Sequence, residues 1–311
     1  MSPPLVEVLH HLDGTQRNLV EQLLTATAGH DGAQPLSDHL KMDLADPHSA
    51  TYTGLLLPGR RGLDGYAQLQ PNNGVWSLEA VLAPAARAEP EVLAALLAAA
   101  VVAVARSGGG DLNWWVLPAG LAGADVDAAI AMADAAVQLG RELHQMRRSL
   151  PIDRAAGVEV RPFVVGRDEL AWLTVNNRAF AGHPEQGGWT AEQLAQRERE
   201  PWFDPAGFLL HERDGRLAAF CWTKVHDDTP PSSGPAMGEI YAIAVDPDFP
   251  GLGLGMALTV AGLEHLASRG LTVGMLYVDG GNANAVTMYE RLGFTIHHTD
   301  RAYLGHIEPS R

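Results

Sequence analysis

The run Glu239-Ile-Tyr-Ala-Ile-Ala-Val-Asp-Pro-Asp-Phe-Pro-Gly-Leu-Gly-Leu-Gly-Met-Ala-Leu258 changes character halfway. Tyr241, Ile243 and Val245 alternate with small apolar residues, as in a strand buried on both faces, and Asp246-Pro247 stops it. The Ala-rich run 256–267 then reads as a helix entered through a glycine loop, Gly251, Gly253 and Gly255. Such a helix start offers unpaired N–H groups and the positive end of a dipole, so the loop is a candidate pyrophosphate site. It fits neither familiar phosphate motif. The dinucleotide fingerprint needs an acidic residue about 20 positions on, and a P-loop needs a closing Gly-Lys-Ser/Thr. No Lys or Arg stands between Glu239 and Gly255.

A second segment, Met275-Leu-Tyr-Val-Asp-Gly-Gly-Asn-Ala-Asn-Ala-Val-Thr-Met-Tyr289-Glu-Arg-Leu-Gly-Phe294, reads as strand, loop, short helix and Gly-Phe. The two segments in this order resemble the GCN5-related N-acetyltransferase (GNAT) family. That resemblance implies an α/β fold with a mixed central sheet flanked by helices, and acetyl-CoA as co-substrate. It further implies that the glycine loop holds the pyrophosphate and that Tyr289 protonates the departing thiolate.

With 311 residues, 46% hydrophobic and 19% charged, the chain has the length of two domains, each able to bury a core. A net charge of -15 argues against nucleic acid, which needs clustered Lys and Arg. No apolar run reaches the roughly 18 residues of a membrane span, and no secretory leader is seen, so a cytoplasmic protein without membrane partners is expected, as a monomer. Cys221 is the single cysteine and lies in an apolar run, which reads as a core position and excludes an intramolecular disulfide. The thirteen histidines are scattered. Adjacent pairs such as His297-His298 point to opposite faces of a strand, so no metal is expected.

In chain order the first half reads as a strand near 5–10, a helix over 13–28, a polar segment over 29–46 and strands over 52–58, 63–70 and 75–82. A helix over 91–106, a strand over 112–117 and a helix over 125–140 follow. The second half repeats the order: strand 158–165, helices 169–180 and 191–199, strands 208–212, 216–225 and 239–245, the helix from 255, strand 272–278, helix 283–292 and strand 294–302. The expectation is two tandem GNAT domains, 1–150 and 151–311, with a boundary at 149–157. A segment at 227–237, with three prolines, is long for a hairpin and is expected at the surface.

The copies are unequal. Where the second has its glycine loop, the first has Ala85-Ala-Arg-Ala-Glu-Pro-Glu-Val92, without glycine and with carboxylates at Glu89 and Glu91. These would crowd and repel a pyrophosphate beyond what Arg87 offsets, so the first domain is expected to be structural.

Tandem copies with one competent loop resemble the mycothiol synthase family. The strings that carry this are Val175-Asn-Asn-Arg-Ala-Phe180, His183-Pro-Glu-Gln-Gly-Gly-Trp-Thr190, Phe220-Cys-Trp-Thr-Lys-Val-His226, Gly238-Glu-Ile-Tyr241 and Leu276-Tyr-Val278. The resemblance implies direct transfer of acetyl to the cysteinyl amine of a glucosaminyl-inositol conjugate through a tetrahedral oxyanion. The reaction needs a base, an oxyanion donor and an acid. Glu239 is the candidate base and Tyr289 the acid. The resemblance places cofactor contacts at Ile243, Ala244 and Val245, at Pro250, Gly251, Leu252, Gly253, Leu254, Gly255 and Met256, and at Asn282, Ala283, Asn284, Ala285, Val286 and Thr287. It carries over Asp38, Glu185, Lys224, Glu239 and Tyr277 as substrate contacts. Without it, a solvated strand-end acid at Glu239, a core aromatic at Tyr289, an exposed strand residue at Lys224 and a loop acid at Asp38 remain open readings. Pro250 and Leu252 replace the Gln or Arg and the further basic residue of many relatives, so backbone N–H groups and the helix dipole must hold the cofactor alone. Two other functions stand beside this one: acetylation of another primary amine, such as an aminoglycoside or a peptide N-terminus, and non-catalytic acyl-CoA sensing.

Overall fold

The computed structural model describes residues 5–45, 52–72, 74–181, 186–226 and 236–310. Two compact units result, one of residues 1–143 with 299–311 and one of residues 144–298. The expected domains, 1–150 and 151–311, place residues 299–311 with the second half.

In the first unit, β1 (Glu7–Leu9), β2 (Thr53–Gly59), β3 (Gly62–Asn72) and β4 (Val75–Leu82) form an antiparallel meander, and β5 (Gly110–Val116) pairs parallel to β4. The C-terminal part of β12 (Thr295–Ile307) adds antiparallel to β5, Arg301 opposite Val116 through Ile307 opposite Gly110, and β6 (Val137–Ser149) follows it. α1 (Gly14–Asp31) starts at an Asp13 capping box with Gln16 and ends at Gly32 in the left-handed region (φ 68°), which only glycine adopts cheaply. Its apolar stripe, with α2 (Asp38–Ala45), covers one face through Val20, Leu23, Leu40 and Leu44 against Leu56 and Tyr66. The Ala/Leu/Val-rich α3 (Pro90–Arg106) and α5 (Val126–Ala133) cover the other against Leu55, Ala67 and Trp114.

In the second unit, β7 (Arg161–Pro162), β8 (Phe208–Arg213), β9 (Arg216–His226) and β10 (Met237–Val245) pair antiparallel in turn, and β11 (Val273–Asp279) pairs parallel to β10. Residues 144–149 of β6 lie beyond β11. α8 (Leu254–Ser268) and α9 (Ala283–Arg291) cover one face, packing on Cys221, Ile240 and Leu276. α6 (Glu169–Ala179) and α7 (Ala191–Glu198) lie on the other, over Phe208, Phe220 and Trp222. Trp222 is fully buried, stacked 4.3 Å from Phe208 and edge-on to Trp172 at 5.7 Å. Cys221 is buried, as its apolar run indicates, and burial pushes its thiol far above the ordinary range.

Three expectations need correction. The helix expected over 125–140 stops at Ala133, where Asp134 turns left-handed (φ 48°), and the chain enters β6 at Val137. The strand has little local signal, because its order comes from pairing with β11 and β12, distant in sequence. The polar segment 29–46 contains α2, whose buried positions, Leu40 and Leu44, are one turn apart. The strand expected over 158–165 shrinks to Arg161–Pro162. Residues 227–235 of the proline-rich segment lie outside the described residues.

Asp300, in the first unit, gives a stability prediction. Burial, with the nearby carboxylate of Glu79 adding to it, pushes its carboxyl up to about 7. An acid raised above its unfolded value of about 3.9 stabilises the fold fully only below that value, and the contribution is lost as pH rises through about 7. Asp300→Asn should therefore be the more stable protein at pH 8, by on the order of a few kcal/mol, with the two melting temperatures converging toward pH 4. Thermal unfolding across this range checks it; a pH-independent difference contradicts it.

Candidate active site

The site grows out of an irregularity in β10. Pairing with β9 runs Glu239 opposite Lys224 and Ile240 opposite Thr223, then resumes at Ala242 opposite Trp222, so Tyr241 is an extra residue. This bulge places Tyr241 and Ala242 on the same face, with the α6/α7 cluster, while Ile243 and Val245 turn to the α8/α9 side. On the other edge, parallel pairing with β11 ends at Ile240 opposite Leu276. Asp246 N–H donates to Ala218 C=O toward β9, at 2.8 Å. By alternation, the N–H groups of Ile243 and Val245 point the other way, into the gap where β10 and β11 part.

Beyond β10 the chain is pinned before it reaches the helix. Asp246 is 2% exposed, and its Oδ1 accepts from Asp248 N–H at 2.9 Å. Arg178 and Arg216 grip Asp248 at 2.7 and 2.6 Å, hold its carboxyl down to about 2, and Arg216 also lies 5.3 Å over the Phe249 ring. The loop then passes Gly251 and Gly253, with φ of 73° and 70°. Gly253 is the N-cap of α8 and no side chain caps it. The first helical bond in this turn runs from Ala257 N–H to Gly253 C=O, at 3.1 Å, so the N–H groups of Leu254, Gly255 and Met256 lie outside the helical ladder. Pro250, Gly251, Leu252 and Gly253 are exposed around them. An uncapped helix start beside an open strand edge fits a pyrophosphate followed by an amide-bearing arm.

α9 flanks this gap. Asn282 caps it, its Oδ1 accepting from Ala285 N–H at 3.2 Å, and Asn282, Ala283, Asn284 and Thr287 are exposed, with Ala285 and Val286 half-buried. Tyr289 is buried on the inner side of the helix, 5.8 Å from Phe294. Burial, with Cys221 a smaller cause, pushes its hydroxyl above the usual range, so it is protonated at neutral pH.

The opposite face carries the polar groups. Glu239 is 7% exposed, and its Oε2 meets His226 Nε2 at 2.7 Å. Lys224 is also buried, with Nζ 4.7 Å from the Trp202 ring centre and 5.7 Å from that of Tyr241. Tyr277 is 40% exposed; its hydroxyl accepts from Gln145 Nε2 at 2.8 Å, and Arg147 Nε donates to Gln145 Oε1 at 2.7 Å. Because guanidinium only donates, Arg147 fixes which end of the Gln145 amide faces Tyr277. His298 stacks edge-on to Tyr277 at 6.4 Å, and burial, with His297 and Arg147, lowers it to about 4, leaving it neutral at pH 7.

Lys224, Glu239 and Tyr277 are thus brought to one face of the second unit. Asp38 belongs to the first unit, at the start of α2 and 3.7 Å from Lys41, and Glu185 lies outside the described residues. Sequence reasoning assigned no role to His226, Trp202, Gln145 or Arg147. His226 was legible by period: residues 222, 224 and 226 of one strand share a face. Gln145 and Arg147 were hidden because β6 was not read as a strand.

A parted parallel strand pair beside an uncapped, glycine-entered helix defines a GNAT acetyltransferase. The profile of the acetyltransferase (GNAT) family matches residues 172–294. A tandem GNAT protein from the clavulanic acid biosynthesis pathway superposes with a TM-score of 0.68 at 17% identity, covering 99% of this chain and 100% of its own. A GCN5-related N-acetyltransferase from Sphaerobacter thermophilus gives 0.64 at 18% identity, covering 98% and 97%. At these identities the likeness establishes the fold. Among sequences, the mycothiol acetyltransferase of Streptomyces griseus is 42% identical over 96% of this chain and 94% of its own. That of Thermobispora bispora is 45% identical over 88% and 90%. The chain belongs to the mycothiol acetyltransferase family.

Proposed function

We propose that the second unit transfers the acetyl group of acetyl-CoA to the cysteinyl amine of a cysteinyl-glucosaminyl-inositol, releasing mycothiol and CoA. The observation that carries this is the gap between β10 and β11, with Glu239 on one face of the sheet and Tyr289 on the other. Acetyl-CoA supplies an activated thioester. Leu254, Gly255 and Met256 N–H groups hold its pyrophosphate, and Ile243 and Val245 N–H groups line the gap, one positioned to donate to the acetyl oxygen as charge develops there. Glu239 takes a proton from the acceptor ammonium, and Tyr289, kept protonated by burial, gives one to the leaving sulfur. Residues 282–287 pack along the pantetheine arm.

Lys224, over the Trp202 and Tyr241 rings, and Tyr277, held by Gln145, supply donors and aromatic surface of the kind a sugar and a polyol ring require. Asp38 and Glu185 join them on the resemblance alone.

The first unit serves a structural role, with its corresponding site shut. Arg87, in the loop matching the glycine loop, turns back to make a two-pronged bond with Asp31 at 2.8 and 2.7 Å, both side chains 6% exposed. Parallel pairing of β4 and β5 ends at Glu79 opposite Trp115, and there the short helix α4 (Pro118–Leu121) packs on β4. A β-carbon at Gly120 would come within 3.0 Å of the Pro35 carbonyl oxygen and 3.3 Å of that of Ala80, so α4 lies close against the backbone there.

Incubation with acetyl-CoA and an amine panel tests the function. N-acetylated cysteinyl-glucosaminyl-inositol and CoA should appear in equal amounts, with one acetyl-CoA bound per chain in equilibrium titration. Turnover of an aminoglycoside or peptide amine in its place rejects the acceptor assignment, binding without turnover favours the sensor, and two bound molecules per chain reject the closed first site.

A further inference from the structure

We infer that His226 is the positioning residue of Glu239, and that the two act as a His–Glu dyad in which His226 Nε2–H holds one carboxylate oxygen and leaves the other aimed at the acceptor amine. The inference rests on the reading of Glu239 as base. Its geometry comes from the β9/β10 register. Glu239 stands opposite Lys224, and Met237 stands opposite His226, so His226 is the diagonal neighbour of Glu239 on the same face. The imidazole Nε2 and Glu239 Oε2 are 2.7 Å apart, the length of a charge-assisted bond. An ionised carboxylate only accepts, so the bond requires the ring to donate through Nε2.

A carboxylate this deeply buried is aimed by the groups that bond it. The Glu239 side chain is 9% exposed and that of His226 is 28% exposed, so the ring closes the outer side of the carboxylate while keeping contact with solvent. Oε2 is occupied by this bond, and Oε1 is the oxygen left to receive the ammonium proton. Lys224, opposite on the neighbouring strand, lies over the aromatic rings of Trp202 and Tyr241, so its charge is directed to that side of the face. A base held this way pays its ordering cost during folding, and the loss of that hold should appear in kcat rather than in cofactor affinity.

The test is a double-mutant cycle in the full chain, with kcat and both KM values measured at saturating co-substrate. His226→Met, of similar size but without an N–H, should lower kcat about tenfold to a hundredfold with KM for acetyl-CoA unchanged, and His226→Gln, which keeps a donor at similar reach, should recover most of it. In the Glu239→Gln background, His226→Met should cost nothing further. Two results overturn the dyad while leaving Glu239 as base: a kcat within twofold of wild type in His226→Met when Glu239→Gln has collapsed, or losses that multiply in the double variant. Wild-type kcat in Glu239→Gln removes the base reading, and the dyad with it. Where His226→Met does not fold, the comparison of His226→Gln with and without Glu239→Gln decides: a donor-retaining variant must keep most of its rate only when Glu239 is present.

Discussion

Glu239→Gln should lower kcat by about two to four orders of magnitude, the usual span for loss of a positioned proton acceptor. Gln matches Glu in shape and still hydrogen-bonds, so the substitution removes the proton-accepting function while the packing around Lys224 and His226 persists. KM for acetyl-CoA should move little. The groups proposed to bind it are the α8 start, the gap edge and the outer turn of α9, whereas Glu239 lies on the α6/α7 side of the sheet. Steady-state kinetics at neutral pH with both substrates saturating read this directly. A loss of less than threefold would show that the amine is deprotonated elsewhere, and an unchanged biological activity with no turnover at all would move the protein to the sensor class.

The second large effect concerns cofactor affinity. Gly253→Asp should raise KM for acetyl-CoA about a hundredfold and leave kcat at saturation close to wild type. Gly253 sits at φ 70°, a conformation that Asp and Asn tolerate better than other side chains, and the space around its missing side chain is open. The fold should therefore bear either residue at a cost of about 1 kcal/mol. What changes is charge. A carboxylate at the uncapped start of α8 competes with the pyrophosphate for the same dipole and repels it; at an effective dielectric near 20 two such charges about 4 Å apart repel by roughly 4 kcal/mol, which solvent and salt at this exposed loop reduce toward the roughly 2.7 kcal/mol of a hundredfold change. Gly253→Asn separates charge from strain: its KM should stay within a few-fold of wild type. Equal effects of Asp and Asn would mean that backbone geometry, and not an anion, governs the loop.

Much of this site could be read from residue order. The glycine loop after β10, the Asn282-to-Tyr289 helix and the strand, helix and turn boundaries around them are local features. Each rests on periods of two or 3.6 residues, on Asp-Pro and glycine stops, and on caps within four residues of one another. The absence of glycine in 85–92 pointed equally well to a first loop that differs in kind, and in the folded chain Arg87 turns inward to Asp31.

Other features depended on residues far apart in the chain. β6 carries no clean alternation, and it exists because β11 and the returning β12 offer it hydrogen-bonding edges more than a hundred residues away. The extra residue at Tyr241 is invisible in the run Ile240-Tyr-Ala-Ile243; it appears only when β9 is laid alongside, and it alone puts Tyr241 with Trp202 and Lys224. So residue order was enough to recognise a glycine-entered helix after a stopped strand, because those signals act over one or two turns of chain. The pairing of His226 with Glu239, and of Gln145 with Tyr277, needed the folded sheet, because a hydrogen bond between strands depends on register, which no single strand encodes.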